Sequence, residues 1–515
     1  MLTEEQKKAR DHLYGPCLVT AGPGSGKTRV LTERIVHLLR YTRPERICVI
    51  TFTRAAAEQM KSRFCELTDE ETAEKVTFGT FHSVFFRWLV QWHELGSDIK
   101  ILGRDGENVP AISMGQWDTN EEYAAWKKIH HYIDFDDIIH LTQVAIQNHF
   151  PDRMYDFFLI DEFQDIDQEQ YKIACRMAGD QANLFVVGDE DQSIYGFRGS
   201  CSSVMLQFMK DYPSAAHLFL STNFRCSRAI TNLSVRLISH NKERYDKNID
   251  SFSRDMTPVR SRGYVSTLDE LRDTAKRIRQ LHIFGKVPYE KIAVLARTGR
   301  EADLMIQALR EAGIPYRQKI RSSDFIHRKF LDIGQDILWI REAGSDPGKN
   351  RNLRTLERYF PFVRNVYRKD LRPDEVIEKE QLIRLLERVK KRTMRAAAFD
   401  LLWNSTYFSF IRNQRIHESL PAYYPILQFY RLGKTEQKGV FVNTLHQAKG
   451  LEFEAVWIIG INEGNIPHAE AAESVTSMEE ERRLLYVGMT RAQKYLSLSF
   501  SEEAPKSRFL TEIRM

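Results

Sequence analysis

Short apolar runs alternate with longer stretches of helical periodicity from the N-terminus to about residue 225. The runs are CLVT (17–20), ICVITFT (47–53), VTFGT (76–80), FFLID (157–161) and NLFVVGD (183–189). Near-continuous apolar strands separated by helices predict a parallel sheet covered on both faces. The rhythm breaks between about 93 and 151, where HELGSDIK and a polar stretch at 103–122 give way to helical sequence. It returns in KIAVLART (291–298), GVFVNTL (439–445), AVWIIGI (455–461) and YLSLSF (495–500), which read as strands of a second parallel sheet. Over 341–435 it disappears again. The pattern therefore predicts an α/β chain with two parallel-sheet cores, each interrupted by a mainly helical insertion.

Composition narrows this picture only slightly. The 515 residues allow several domains, and 42% hydrophobic with 28% charged residues is the mix of a soluble globular protein. Disordered, collagen-like and disulfide-scaffold classes are excluded. The net charge is only +5, yet the window 341–435 holds 20 Lys and Arg against 11 Asp and Glu. Such a window is either a solvated helical face or an accessory domain lying near a phosphate backbone. The six cysteines stand singly with no CxxC pair, which argues against a structural zinc site and against a disulfide framework. Reduced thiols in a cytoplasmic protein are expected. The N-terminal MLTEEQKKAR has no apolar signal core, and the longest apolar runs have strand length, so no membrane partner is expected.

Candidate chemistry begins directly after the first strand. Ala21-Gly22-Pro23-Gly24-Ser25-Gly26-Lys27-Thr28 lies between CLVT and the helical RVLTERIVHLLR, the setting a phosphate-binding loop requires. Its glycines let backbone N–H groups turn inward on phosphate oxygens. Lys27 supplies a point charge at the β and γ positions, and Thr28 offers a hydroxyl to Mg²⁺. The helix N-terminus adds partial positive charge. Ala21 stands where the G-x-x-x-x-G-K-[ST] pattern begins with Gly. A carboxylate pair ends the strand FFLIDE: Asp161 is placed to hold Mg²⁺ and Glu162 to activate an attacking water.

The residues beyond Asp161 carry a resemblance. DEFQD (161–165) followed by VVGDEDQSIYGFRGS (186–200) resembles the UvrD/Rep/PcrA branch of superfamily 1A DNA helicases. The N-terminal LTEEQ (2–6) is similar to the family's Q motif. TFTRAAAEQM (51–60), TFGTFHS (77–83), LSTNFRCS (220–227), VNTLHQAKGLEFEAVWIIG (442–460) and EEERRLLYVGMTRAQ (479–493) follow in the family's order. The resemblance implies two RecA-like cores, with ATP and Mg²⁺ in the cleft between them and single-stranded DNA across the top. It divides the chain into a first core (1–92 and 152–218) with an insert at 93–151, and a second core (219–340 and 436–515) with a basic insert at 341–435.

Site roles implied by the resemblance transfer one position at a time. Gln6 resembles the glutamine that reads the adenine edge, Phe224 the ring that stacks on adenine, and Arg29 a nucleotide-contacting arginine. Gln192 resembles the γ-phosphate sensor. Arg225 and Arg491 resemble the two arginines that reach the γ-phosphate from the second core, and Glu452 the carboxylate on the ribose. Phe52, Tyr195 and Phe197 match aromatic positions that stack on DNA bases, a sequence-tolerant contact. His82, Arg198, His446 and Lys449 match polar positions that face the strand or couple it to the cleft. Phe224 stands where the family usually has Tyr, Phe197 where it usually has Trp, and Ile166 where it usually has Thr.

The implied function is a DNA-dependent ATPase that moves 3′→5′ along single-stranded DNA and unwinds tailed duplex. A second reading assigns the same ATPase to a complex, because compact relatives occur in bacterial anti-phage systems such as Gabija, where a helicase-like chain works with a nuclease. A third, a DNA-binding module with a dead ATPase, conflicts with the presence of Lys27, Asp161, Glu162, Arg225 and Arg491. No clustered carboxylates of a nuclease are evident.

Overall fold

The computed structural model describes residues 2–92, 94–96, 99–101, 120–129, 131–148, 154–178, 183–194, 196, 203–317 and 438–515. The basic insert expected at 341–435 lies outside the described residues. In chain order the strands are β1 Cys17–Ala21, β2 Ile47–Thr51, β3 Thr77–Thr80, β4 Lys100–Ile101, β5 Tyr132–Ile133, β6 Phe157–Ile160, β7 Leu184–Gly188 and β8 Ala216–Leu220. They continue as β9 Thr222–Asn223, β10 Asp250–Ser251, β11 Arg260–Tyr264, β12 Ile292–Ala296, β13 Tyr316–Arg317, β14 Val440–Thr444, β15 Phe453–Ile458 and β16 Ala492–Ser501.

Two six-stranded sheets form, ordered β3-β2-β6-β7-β1-β8 and β11-β16-β15-β12-β14-β13. Every pairing within them is parallel. Side-chain alternation divides each sheet between two cores. On one face of the first sheet Leu18, Cys48, Ile50, Phe158, Ile160 and Val186 pack together. Their chain neighbours Cys17, Val19, Val49, Phe157, Leu159 and Val187 pack on the other. The second sheet repeats the arrangement, with Leu295, Val456 and Ile458 on one side and Val294, Ala455 and Trp457 on the other. Burial on both faces is why these strands are apolar throughout instead of alternating.

The expected central strands are all present. Within the two large sheets the strands not anticipated, β8, β11 and β13, are sheet edges; the short pairs β4–β5 and β9–β10 were not anticipated either. β11 reads RSRGY and is half exposed along its length, so no apolar run marks it. β8 carries the first sheet as far as Leu220.

Within 93–151 the described residues form the helices Asn120–Ile129 and Phe135–Asn148 and the two-stranded β4–β5 pair. This insert joins the first core through Ile133, Ile138, Ala145 and Ile146, which enter the same cluster as Phe85 and Trp88. No described helix is long and apolar enough to cross a membrane. The described cysteines are all free.

Trp88 is fully buried, and its indole N–H donates to Tyr155 Oη at 3.2 Å. Its ring lies 5.3 Å from Phe85 and 6.2 Å from Phe158. Trp88→Ala should destabilise the first core by about 3–5 kcal/mol, the cost of emptying a buried aromatic site. The midpoint of denaturant unfolding measures it.

Candidate nucleotide site between the two cores

β1 delivers its following loop to the carboxyl edge of the first sheet, flanked by β7 and β8. β6 and β7 end at the same edge, so Asp161 and Asp189 emerge beside the loop. That crevice is where parallel α/β sheets hold ligands. Gly24 and Gly26 adopt φ of +66° and +81°, a left-handed backbone open to glycine at little cost. Lys27 then opens the helix Lys27–Leu38.

The loop is gripped from both sides. Thr3 and Gln6 form a capping box at the first helix, in which Gln6 Oε1 accepts from Thr3 N–H at 3.0 Å. The same carboxamide donates through Nε2 to the Ser25 carbonyl at 2.9 Å, placing Gln6 against the loop. From the other side Phe224 N–H donates to the Gly24 carbonyl at 2.9 Å. Inside the loop the Ser25 hydroxyl is buried without a hydrogen-bond partner among the described residues. A phosphate oxygen would satisfy it, and buried polar groups rarely stay unpaired.

Asp161 and Glu162 are adjacent but differently held. Asp161 N–H donates to the Ile50 carbonyl at 2.9 Å, continuing the sheet. Glu162 sits at φ 52°, ψ 44°, unusual for a residue with a side chain. Gln164 sustains that turn: its Nε2 donates to Glu162 Oε2 at 2.6 Å and its Oε1 accepts from Asp189 N–H at 2.9 Å. Lys27 Nζ lies 3.7 Å from Glu162 Oε2. Burial, and then the Glu162 charge, push the Asp161 carboxyl up. Burial also works against the Glu162 charge, but Lys27, Lys449, the Gln164 hydrogen bond and Arg491 together hold that carboxyl below its usual range. The donor set of the Thr28 hydroxyl and Asp161 suits a hard divalent cation, which would relieve the repulsion.

The second core contributes cations. Arg491 is 2% exposed, and its guanidinium donates to Gln192 Oε1 (3.1 Å) and to the Val487 (2.9 Å) and Leu451 (3.3 Å) carbonyls. It forms no ion pair among the described residues, and burial and nearby Arg225 both disfavour its charge. Arg225 Nε donates to Glu452 Oε2 at 2.8 Å, so two residues expected at the nucleotide meet each other here. Lys449 Nζ reaches Asp165 at 2.6 and 2.7 Å and the Gln192 carbonyl at 2.7 Å. It therefore ties the cores together, with its ammonium directed into the first core.

Of the remaining candidates, Arg29 is exposed on the first turn after the loop. Phe224 is 41% exposed with its ring 5.2 Å from that of Phe252, and Phe252 is itself 72% exposed. Phe52, His82 and His446 are half-buried, and the His82 ring packs 4.6 Å from Phe135. Tyr195, Phe197 and Arg198 lie outside the described residues. Sequence reasoning missed Gln164, Asn223, Phe252, Asp189 and Lys247. Gln164 lies inside DEFQD and could have been singled out. Lys247 could not, because its partner Asp189 is 58 residues away.

Comparison with known proteins identifies the family. The UvrD/REP helicase N-terminal domain matches residues 2–105 and 115–213, and the UvrD-like helicase C-terminal domain matches 218–333 and 353–503. YjcD of Bacillus subtilis (strain 168) is 29% identical over 623 aligned positions, covering 99% of this chain and 80% of that protein. The ATP-dependent DNA helicase PcrA of Staphylococcus epidermidis is 28% identical, covering 99% and 86%. The ATP-dependent DNA helicase Rep of Buchnera aphidicola subsp. Baizongia pistaciae is 27% identical, covering 100% and 94%.

Two substitutions test the geometry. A Cβ on Gly24 would come 2.6 Å from Arg225 Cβ and 2.7 Å from Asn223 Oδ1, at a φ that strains any side chain. Gly24→Ala should therefore weaken nucleotide binding at least ten-fold (about 1.4 kcal/mol) in a fluorescent-nucleotide titration. Gln164→Leu frees the Glu162 carboxylate. It should lower kcat for hydrolysis by about ten- to a hundred-fold with little change in KM, part of what a positioned general base contributes; steady-state kinetics decide.

Proposed function

The chain belongs to the UvrD-like family of ATP-dependent DNA helicases, and from that membership and the cleft geometry we propose that it couples ATP hydrolysis to 3′→5′ movement along single-stranded DNA. It is a DNA-dependent ATPase and helicase of the UvrD/PcrA/Rep type. The observation that carries the coupling is the bond from Arg491 in the second core to Gln192 in the first, at 3.1 Å.

The loop N–H groups and Lys27 bind the triphosphate, with the base between Gln6 and the exposed ring of Phe224. Thr28 and Asp161 would hold Mg²⁺, whose charge neutralises phosphate oxygens. Glu162 takes the proton of the attacking water. Arg491 and Arg225 supply charge to the γ-phosphate from the second core, as an arginine finger does. Arg225 is free to turn there because its partner Glu452 is half exposed, and such pairs hold weakly. Hydrolysis is then conditional on closure of the cleft, which makes the ATPase a motor.

Phe52, Tyr195 and Phe197 stack on bases, each stack contributing about 1–3 kcal/mol without regard to sequence. His82, Arg198 and His446 face the strand or its coupling loop, while Lys449 couples the cores. Parting one base pair costs about 1.4 kcal/mol on average, well within one hydrolysis event per step.

A second reading, an ATPase subunit of an anti-phage complex with a nuclease partner, is favoured by compactness. The 623 positions aligned with YjcD exceed the 515 residues of this chain, so that relative carries segments with no counterpart here. Co-purification of a nuclease would support it.

The direct test is steady-state ATP hydrolysis with and without single-stranded DNA. The native chain should be strongly stimulated, and Lys27→Ala and Glu162→Gln should abolish hydrolysis. Duplexes with a 3′ tail should be opened and those with a 5′ tail left intact. Absence of stimulation despite DNA binding, or preference for the 5′ tail, would refute the reading.

A further inference from the structure

Three successive acids, Asp189, Glu190 and Asp191, follow β7 and are all fully buried. Their counter-charges come from the segment after the helix Arg228–Ile238 of the second core. Lys247 Nζ contacts Asp189 Oδ1 (2.6 Å), Asp191 Oδ2 (2.8 Å) and Glu190 Oε1 (2.9 Å). Arg244 adds a forked contact to Asp191, with Nη2 to Oδ2 at 2.8 Å and Nε to Oδ1 at 3.0 Å. The two oxygens of Asp189 are thus divided: Oδ1 accepts from Lys247, and Oδ2 accepts from Gln192 Nε2 at 2.6 Å.

A carboxamide has a donor end and an acceptor end, and the phosphate sensor works only one way round. Gln192 must offer Oε1 to Arg491, which has donors alone. We propose that Lys247 is a positioning residue that, through Asp189, fixes the orientation of the Gln192 carboxamide toward Arg491. Lys247 occupies one oxygen of the carboxylate and supplies its counter-charge. The other oxygen can then only accept, and it selects the donor end of Gln192. Donors converge on Asp189 from both sides: Lys247 donates to one oxygen, while Arg491 donates to Gln192, which donates to the other. The assignment rests on the ATPase reading, which the native chain's own DNA-stimulated rate, measured first, tests separately.

The chain of polarity makes a prediction that simple loss of packing does not. In Asp189→Asn, Lys247 still demands an oxygen, so the new carboxamide gives its oxygen to Lys247 and turns its N–H groups toward Gln192. Gln192 must then answer with its own oxygen and present N–H groups to Arg491, donor against donor. DNA-stimulated kcat should fall about ten-fold or more, with KM for ATP unchanged, on the scale of a lost bond to a charged group. Adding Lys247→Gln supplies an oxygen that accepts from those N–H groups and restores the original direction. The double variant D189N/K247Q should therefore recover most of the stimulated rate that D189N loses. A native-like D189N, or a double variant no faster than D189N, overturns the assignment. K247Q and K247M, compared where circular dichroism shows both folded, give an independent comparison: both remove the counter-charge of the three acids, but only Gln still donates to Asp189 and should retain the higher stimulation. Equal behaviour of these two would also overturn it.

Discussion

Arg491 is a buried cation whose partners are all neutral: two backbone carbonyls, a carboxamide oxygen and a neighbouring hydroxyl. Holding a charge away from water without a counter-charge is unfavourable by several kcal/mol. Its neighbour Arg225 adds to the cost. A phosphate entering the crevice would supply a directly bonded anion; among the described residues Glu162 acts on Arg491 without an ion pair. The cleft is thus arranged to gain stability when a nucleotide occupies it, and the gain is largest where negative charge develops. Catalysis and cleft closure become one electrostatic event.

The other contacts between the cores have the opposite character. Lys449 is paired with Asp165, and Lys247 and Arg244 are paired with the acids after β7. Ile194 leaves the first core to pack among Leu445, Phe453 and Leu485 of the second. These compensated or apolar contacts need no ligand, and removing one partner of a buried pair is strongly destabilising. They act as fixed ties between the cores, while Arg491 has no ion pair among the described residues and Arg225 only its pair with the half-exposed Glu452, the two residues proposed to respond to the nucleotide. One interface therefore contains a permanent part and a conditional part, distinguished by whether charge is balanced within the protein.

Sequence patterning reached the two-sheet architecture and the loop because both depend on local rules. A doubly covered strand must be apolar at successive positions, and a phosphate loop must place glycine, lysine and threonine between strand and helix. Of the edge strands only β3 was anticipated; β8, β11 and β13 escaped because solvent on one side removes the apolar signature, as RSRGY in β11 illustrates. The orienting residues were less legible for a different reason. Gln164 acts two residues from Glu162, but nothing in its type distinguishes it from a surface glutamine. The acids at 189–191 are followed by a Gln that stood out by family pattern, yet a run of carboxylates reads as solvated until Lys247 is seen against it. Lys449 shows the same limit, since its position suggested the strand or the cleft and only packing directs its ammonium to Asp165.

The base end of the cleft follows from the same economy of donors and acceptors. With Phe at 224 the stacking surface has no hydroxyl, and Phe252 beside it extends a wall that is entirely apolar. Such a wall holds any flat ring and cannot choose between bases. In the proposed site the choice falls to Gln6, whose carboxamide is already half used: the oxygen accepts from Thr3 N–H, and one amide hydrogen goes to the Ser25 carbonyl. One N–H and one oxygen lone pair remain. That pair complements an edge presenting one acceptor and one donor side by side, the pattern adenine carries at N7 and N6. The capping box is therefore more than a helix start, because by consuming the other half of the carboxamide it fixes which half faces the base.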